Sequence, residues 1–403
     1  MRASLSIGLL SALIAPVAGC GGANSSKIIP PEVQPGGRFG SSVATYGSLG
    51  VIGSPGAQGS GAVFVYDLDG GGGMLQQILP EAATEGDDFG STVGMDGNVL
   101  VVGAPLHEHD GFIAGAAFVY RRDAAGSWME QAILASDVAS DLDYFGNSLS
   151  IEGDLIGVGS PGDDERGSNS GAAYIFGQPD LGWSLQEKLT APDAAPGDRC
   201  GSSVSIHGDK VLVGCPHGFG SAIQSGAAYL FRLAGSSYVL ESKFNPPALD
   251  AGQLFGSAVA LGDNRIFIGA PGAYEEHPDG SVHIFDFDGT SWKPNGILSA
   301  GDRVASRGFG AVLGHDDDLL IVGAQRMEGE HLAPGSAFVF GLSNGAWVLQ
   351  AKLVSNNVDH ADGFGSSVAV RDGRVLVGAA GDAEGGSNVG AAYEFRKSGT
   401  EWN

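Results

Sequence analysis

The stretch CGSSVSIHGDKVLVGCP, residues 200–216, reads as a small β-hairpin. SSVSI alternates small and β-branched residues, a turn falls near Gly208-Asp209, and KVLVG is a continuous apolar run of the kind buried on both faces. Two of the three cysteines, Cys200 and Cys215, bracket it. The same stretch occurs in other versions along the chain, and that recurrence decides the fold.

Phe-Gly stands at Phe39, Phe89, Phe145, Phe255, Phe309 and Phe364, with Cys200-Gly201 as a seventh variant. Fourteen residues after each anchor comes a glycine: Gly53, Gly103, Gly159, Gly214, Gly269, Gly323 and Gly378. A third glycine then opens a run such as GAAFVY, at Gly61, Gly115, Gly171, Gly226, Gly280, Gly335 and Gly390. A constant interval repeated seven times is the signature of one structural unit written seven times.

Each unit predicts four short strands. The third carries aromatics two apart, such as Tyr229 and Phe231, so both rings lie on one face. The fourth begins near an aromatic: all five tryptophans, Trp128, Trp183, Trp292, Trp347 and Trp402, fall there. The 68 glycines and the absence of a helical period agree with many tight turns. The expected fold is all-β, a seven-bladed β-propeller of four-stranded antiparallel blades. Serine two residues after the anchor (Ser41, Ser91, Ser202, Ser257, Ser366) is expected to keep the innermost strand narrow. Ile28 lies eleven residues before Phe39, as Leu353 does before Phe364, so residues 24–30 are expected to finish the blade containing Trp402. That would hide an edge strand.

These repeats resemble the FG-GAP family, the repeat of integrin α-subunit propellers and of many bacterial envelope proteins. The resemblance spans residues 27–403 and implies fold more than activity, because such propellers serve adhesion, ligand binding and scaffolding. It also brings calcium into view, since family members often carry a DxDxDGxxD loop between Phe-Gly and Gly-Ala-Pro. Here those connections are tight turns, and the one acidic run, Asp316-Asp317-Asp318, lacks the glycine and the closing acid. No cofactor is therefore expected.

Residues 1–19 read as a lipoprotein signal peptide, with Arg2, an apolar core from Leu5 to Pro16, and Val17-Ala18-Gly19 before Cys20. Cys20 is the expected lipidation site, and residues 20–26 the anchor and tether. The expected location is a bacterial envelope membrane, outer membrane or cell surface rather than cytoplasmic membrane, reached through the lipid alone. A net charge of −25 argues against nucleic acid as a partner. The mature chain is expected to be a monomer.

Asp87, Asp143, Asp198 and Asp362 each stand two residues before an anchor. They either form a partial carboxylate ring at the channel mouth or cap backbone amides of the turn entering the first strand. Histidines in the loops after Gly-Ala-Pro (His107, His109, His217, His277, His331) lie on different blades, and His283 occupies an aromatic position of a third strand, where packing is expected. No nucleophile elbow, P-loop or CxxC appears. The expected function is a non-catalytic binding, adhesion or scaffolding module for a protein or glycan. Its ligand face would be built from the loops after Gly-Ala-Pro and those before Phe-Gly. The acids there include Asp87, Glu108, Asp110, Asp143, Asp163, Asp164, Glu165, Asp198, Glu275, Glu276, Asp279, Glu328, Glu330 and Asp362. The rival readings are a hydrolase or lyase acting at the channel mouth with paired carboxylates, and a purely structural envelope component.

Cys200 replaces the anchor phenylalanine and Cys215 the residue after the second glycine, in the same unit and nowhere else. A disulfide would offset the missing ring. Metal binding would need two more ligands, a redox pair would sit closer in sequence, and two inert thiols are the plain alternative. With Cys20 lipidated, an even pair is left in an oxidising compartment.

Overall fold

The computed structural model describes residues 25–178, 182–218, 225–246, 252–272, 280–301, 308–325, 335–355, 362–399 and 401–403. Cys20 lies outside these residues, as do Glu275, Glu276, His277, Asp279, Glu328, Glu330 and His331. The described chain folds into seven antiparallel sheets of four strand positions each, with no helix among the described residues. Blade 3 shows the plan, its strands Ser148–Glu152, Leu155–Ser160, Ala172–Gly177 and Ser184–Leu189 pairing in that order from the axis outward. Second strands lie between two neighbouring sheets, which is why Leu49–Ser54, Val99–Ala104 and Arg374–Ala379 are buried at every position. Fourth strands face solvent and lose that run of burial.

The inner strand of each blade contacts the inner strand of the next, and Phe364–Arg371 of blade 7 contacts Ser42–Tyr46 of blade 1, closing the ring. Three columns of the repeat make these joints. A Cβ on the glycine fourteen residues after an anchor would collide with the carbonyl oxygen of the next blade's Phe-Gly or Cys-Gly glycine. The pairs run Gly53–Gly90, Gly103–Gly146, Gly159–Gly201, Gly214–Gly256, Gly269–Gly310, Gly323–Gly365 and, across the closure, Gly378–Gly40. The third glycine meets the next anchor, as in the parallel bridges Gly61–Phe89 and Gly390–Phe39. A hydroxyl three residues after the anchor then donates to the same glycine oxygen: Ser42 to Gly90 at 2.7 Å, Ser148 to Gly201 at 2.8 Å and Ser367 to Gly40 at 2.9 Å.

The serine one position earlier does something other than narrow the strand. Ser41, Ser91, Ser202 and Ser257 each donate to the carbonyl three residues back, closing the turn that leads into the blade.

Blade 7 takes its fourth strand from both ends of the described chain. Glu401–Trp402 pairs with Ser398 and Lys397, while Ser26–Ile28 pairs with Glu394–Ala392. Blades 1 to 6 each carry a register shift between the same two third-strand positions, Ile175/Phe176 in blade 3 and Val339/Phe340 in blade 6. In blade 7 that position falls between Glu394 and Phe395, where the two pieces meet. Lys27 seals the joint with ion pairs to Asp382 at 2.8 Å and Glu384 at 2.6 Å.

Each anchor ring packs against the two third-strand aromatics of its own blade, edge-on in the case of Phe145 with Tyr174 and Phe176. His283 occupies one such aromatic place, 5.1 Å from Phe255, and burial pushes its imidazole down to about 4. Blade 4 has no anchor ring. Cys200 and Cys215 are joined there by a disulfide, packed with Tyr229 and Phe231.

Candidate functional site

Strand direction sorts the connections onto two faces. The turns before Phe-Gly and the loops after Gly-Ala-Pro share one, here the loop face. The tight turns after the inner strand and between the third and fourth strands share the other, the turn face.

On the loop face the aspartates two residues before the anchors are buried. Asp87 accepts from Thr84 N at 2.8 Å, Asp143 from Ser140 N at 2.8 Å and Asp198 from Ala195 N at 2.8 Å. Asp362 is buried in the matching turn. The residue eighteen positions after the anchor folds back onto this group. In blade 2 it is His107, whose Nδ1 lies 2.6 Å from Asp87 Oδ2. In blade 3 it is Asp163, held by Tyr174 Oη at 2.6 Å and Lys188 at 2.8 Å. In blade 7 it is Asp382, held by Tyr393 and Lys27. Burial pushes the Asp143 carboxyl up to about 6, with the Ser140 amide pulling it back and Asp163 and Asp164 adding repulsion. Burial disfavours the charged Lys27 amine, yet its bonds to Asp382 and Glu384 outweigh that and raise its pKa.

The exposed acids are different residues. Glu108, Asp110, Asp164 and Glu165 stand in solvent. Glu108 belongs to a two-stranded hairpin, Glu108–His109 with Phe112–Ile113, that projects from blade 2. Phe112 and Ile113 are 43% and 45% exposed. Leu142, from the next turn, is 47% exposed and bonds through its amide to Ile113 O at 2.8 Å.

The turn face holds a column of residues of which the sequence pattern singled out only Asp316. Seven residues after each anchor stand Tyr46, Asp96, Glu152, His207, Gly262, Asp316 and Arg371, at the end of the inner strands. Three of them reach the next blade's backbone: Asp96 accepts from Gly153 N at 2.7 Å, Glu152 from Gly208 N at 2.6 Å, and Asp316 from Asp372 N at 2.7 Å. His207 lies between carboxylates, 2.8 Å from Asp263 and 3.3 Å from Glu152. Arg371 sits 4.9 Å over the Tyr46 ring. The bond to His207 holds Asp263 below the usual carboxylate range, while burial raises Asp316 against the pull of the Asp372 amide. The signal was present as one polar, variable column in an otherwise small or apolar strand. Glu152, His207, Gly262, Asp263, Asp316 and Arg371 border a channel mouth of about 840 Å³.

The acidic run of blade 6 is engaged with backbone and histidine contacts. Asp316 is engaged by Asp372 N, Asp317 adopts φ 49° and its carbonyl contacts His315 Nε2, and the Asp318 carbonyl accepts from Leu342 N. Among the described residues, no three or more His, Cys, Asp or Glu side chains group so as to hold a metal ion.

The FG-GAP repeat family matches residues 23–66, 74–120, 128–176, 183–231 and 347–395, more than half of the sequence. The chain belongs to the FG-GAP repeat family. Blade 5 and the first three strands of blade 6 of this FG-GAP protein fall outside the matched segments, and there Ala258 and Val312 replace the inter-blade hydroxyl. No curated protein matches the chain in sequence. Among solved structures it is similar to Saccharomyces cerevisiae Sqt1, with TM-score 0.50 and 9% identity over 93% of this chain and 99% of that one. It is also similar to a putative 6-phosphogluconolactonase from Bacteroides uniformis, with TM-score 0.55 and 12% identity over 90% of this chain and 93% of that one. At such identities the likeness concerns the fold alone.

Proposed function

We propose that this FG-GAP propeller is a non-catalytic binding module of the bacterial cell envelope, anchored by a lipid on Cys20, whose loop face takes a protein or glycan ligand. One observation carries the reading: the blade 2 hairpin holds Phe112 and Ile113 in solvent beside Leu142, rimmed by Glu108, Asp110 and Asp141. Apolar groups grouped at a surface and ringed by charge are the usual anatomy of a contact site. The buried loop-face acids meanwhile hold turns together, so the carboxylates available to a ligand are the exposed ones.

Screening the protein against glycans, cell-wall fragments and envelope proteins tests the reading. Capture should be lost in Phe112→Ser/Ile113→Ser. Turnover of a screened compound, abolished by Asp143→Asn or Asp198→Asn, would favour the hydrolase or lyase alternative instead. Cys20→Ala should release the protein into the soluble fraction, and unchanged membrane partition would end the lipid-anchor part of the proposal.

A further inference from the structure

We propose that the turn-face mouth of the central channel binds a linear polyamine, a flexible carbon chain bearing several ammonium groups, independently of the loop face. The cavity, about 840 Å³, is roomy enough for such a chain. Its lining carries five carboxylates (Glu152, Asp263, Asp316, Asp317, Asp318) against two guanidinium groups. Of those two, Arg265 is engaged by Asp286 through bonds of 2.6 and 3.0 Å.

The backbone of the channel wall points the same way. An inner strand presents an open edge, with amides and carbonyls alternating toward the axis. Here side chains of the preceding blade occupy edge amides. Ser150 Oγ accepts from Ile206 N at 2.9 Å and Ser205 Oγ from Leu261 N at 3.1 Å. Glu152 and Asp316 do the same one step lower, at Gly208 N and Asp372 N. With these four donors satisfied, that part of the wall is biased toward acceptors, and an ammonium group is a donor only.

The spacing selects an extended cation over a point charge. The carboxylates are spread over three blades, Glu152 on blade 3, Asp263 on blade 5 and Asp316 to Asp318 on blade 6, and among the described residues no three of them group closely enough for a metal ion. A chain with several separated ammonium groups can address them one at a time. The backbone bonds of Glu152 and Asp316 fix the carboxylates in direction without neutralising them.

Equilibrium dialysis of the purified protein with labelled spermidine at low ionic strength tests this, with thermal melts confirming that each variant is folded. Glu152→Gln combined with Asp316→Asn keeps an oxygen for each backbone amide and removes two charges. Saturable binding is expected, weakened about tenfold in that double variant. Arg371→Gln, which removes a competing cation, should tighten binding, and Glu108→Gln/Asp110→Asn on the loop face should leave it unchanged. Absence of saturable binding overturns the site, as does an equal loss in the loop-face variant. Displacement by magnesium at equal ionic strength as effectively as by unlabelled spermidine would also overturn it, showing a diffuse counterion cloud.

Discussion

A Cβ placed on Gly378 would collide with the carbonyl oxygen of Gly40, the same oxygen that accepts from Ser367 Oγ at 2.9 Å. Blade 7 seats on blade 1 because residue 378 has no side chain. Gly378→Ala should therefore force the closing joint apart and destabilise by about 3 kcal/mol. Gly182→Ala, where an added Cβ meets nothing within 4 Å, should stay within about 0.5 kcal/mol of the parent. Guanidinium unfolding midpoints of the two variants check the pair.

The divided fourth strand of blade 7 makes a second prediction. In blade 3 the partners of Gly177 and Ile175, Ser184 and Glu187, have two residues between them. The equivalent partners in blade 7 are Asn403, bonded to Arg396, and Ser26, paired with Glu394. Joining Asn403 directly to Asn24 would supply those two residues. A circular permutant so joined, and opened between Gly71 and Gly72, should fold and melt within a few degrees of the parent. Deleting residues 21–32 should instead lower the melting temperature sharply, because the edge of Ala391–Ser398 and the buried Asp382 lose Ile28 and Lys27. Calorimetry on the two proteins separates these outcomes.

Those joints explain what the sequence could disclose. Gly53, Gly214 and Gly378 recur at one interval because any side chain there strikes the neighbouring blade, so geometry wrote itself into spacing. The inner-strand column holding Glu152, His207 and Asp316 borders open channel, which tolerates any polar residue and leaves no steric mark. Asp163 and Asp382 look like surface acids in the chain, yet they are buried. Their partners, Lys188 and Lys27, come from fourth strands, and Lys27 arrives from the far end of the chain. The disulfide was legible because Cys200 and Cys215 depart from the repeat together.

Reducing that disulfide should lower stability by roughly 3 kcal/mol, the chain-entropy value for a loop of this length. Cys200→Phe with Cys215→Ala restores what the other blades carry and should recover most of the loss. Non-reduced peptide mapping should show the Cys200–Cys215 cross-link, and two free thiols in protein from its native compartment would contradict it.

Acid should act on two buried groups with opposite signs. His283 has its folded pKa near 4, below the unfolded 6.5, so its neutral form stabilises the fold above pH 6.5. That contribution, at most about 3 kcal/mol, is lost as pH falls from 6.5 through 4. His283→Phe should therefore raise the melting temperature more at pH 4.5 than at pH 7.5. Asp143 is raised to about 6 from 3.8, so its contribution is present below 3.8 and lost as pH rises through 6. Asp143→Asn should stabilise at pH 7.5 and have little effect at pH 4.5. Melting curves of both variants at the two pH values give the test.

The most direct measurement of the binding proposal is capture of envelope components by the intact protein, compared across the two faces. Parent protein and Glu152→Gln/Asp316→Asn should retain the same glycan or protein, while Phe112→Ser/Ile113→Ser, folded by its melt, should not. Equal retention by the loop-face variant would contradict the account.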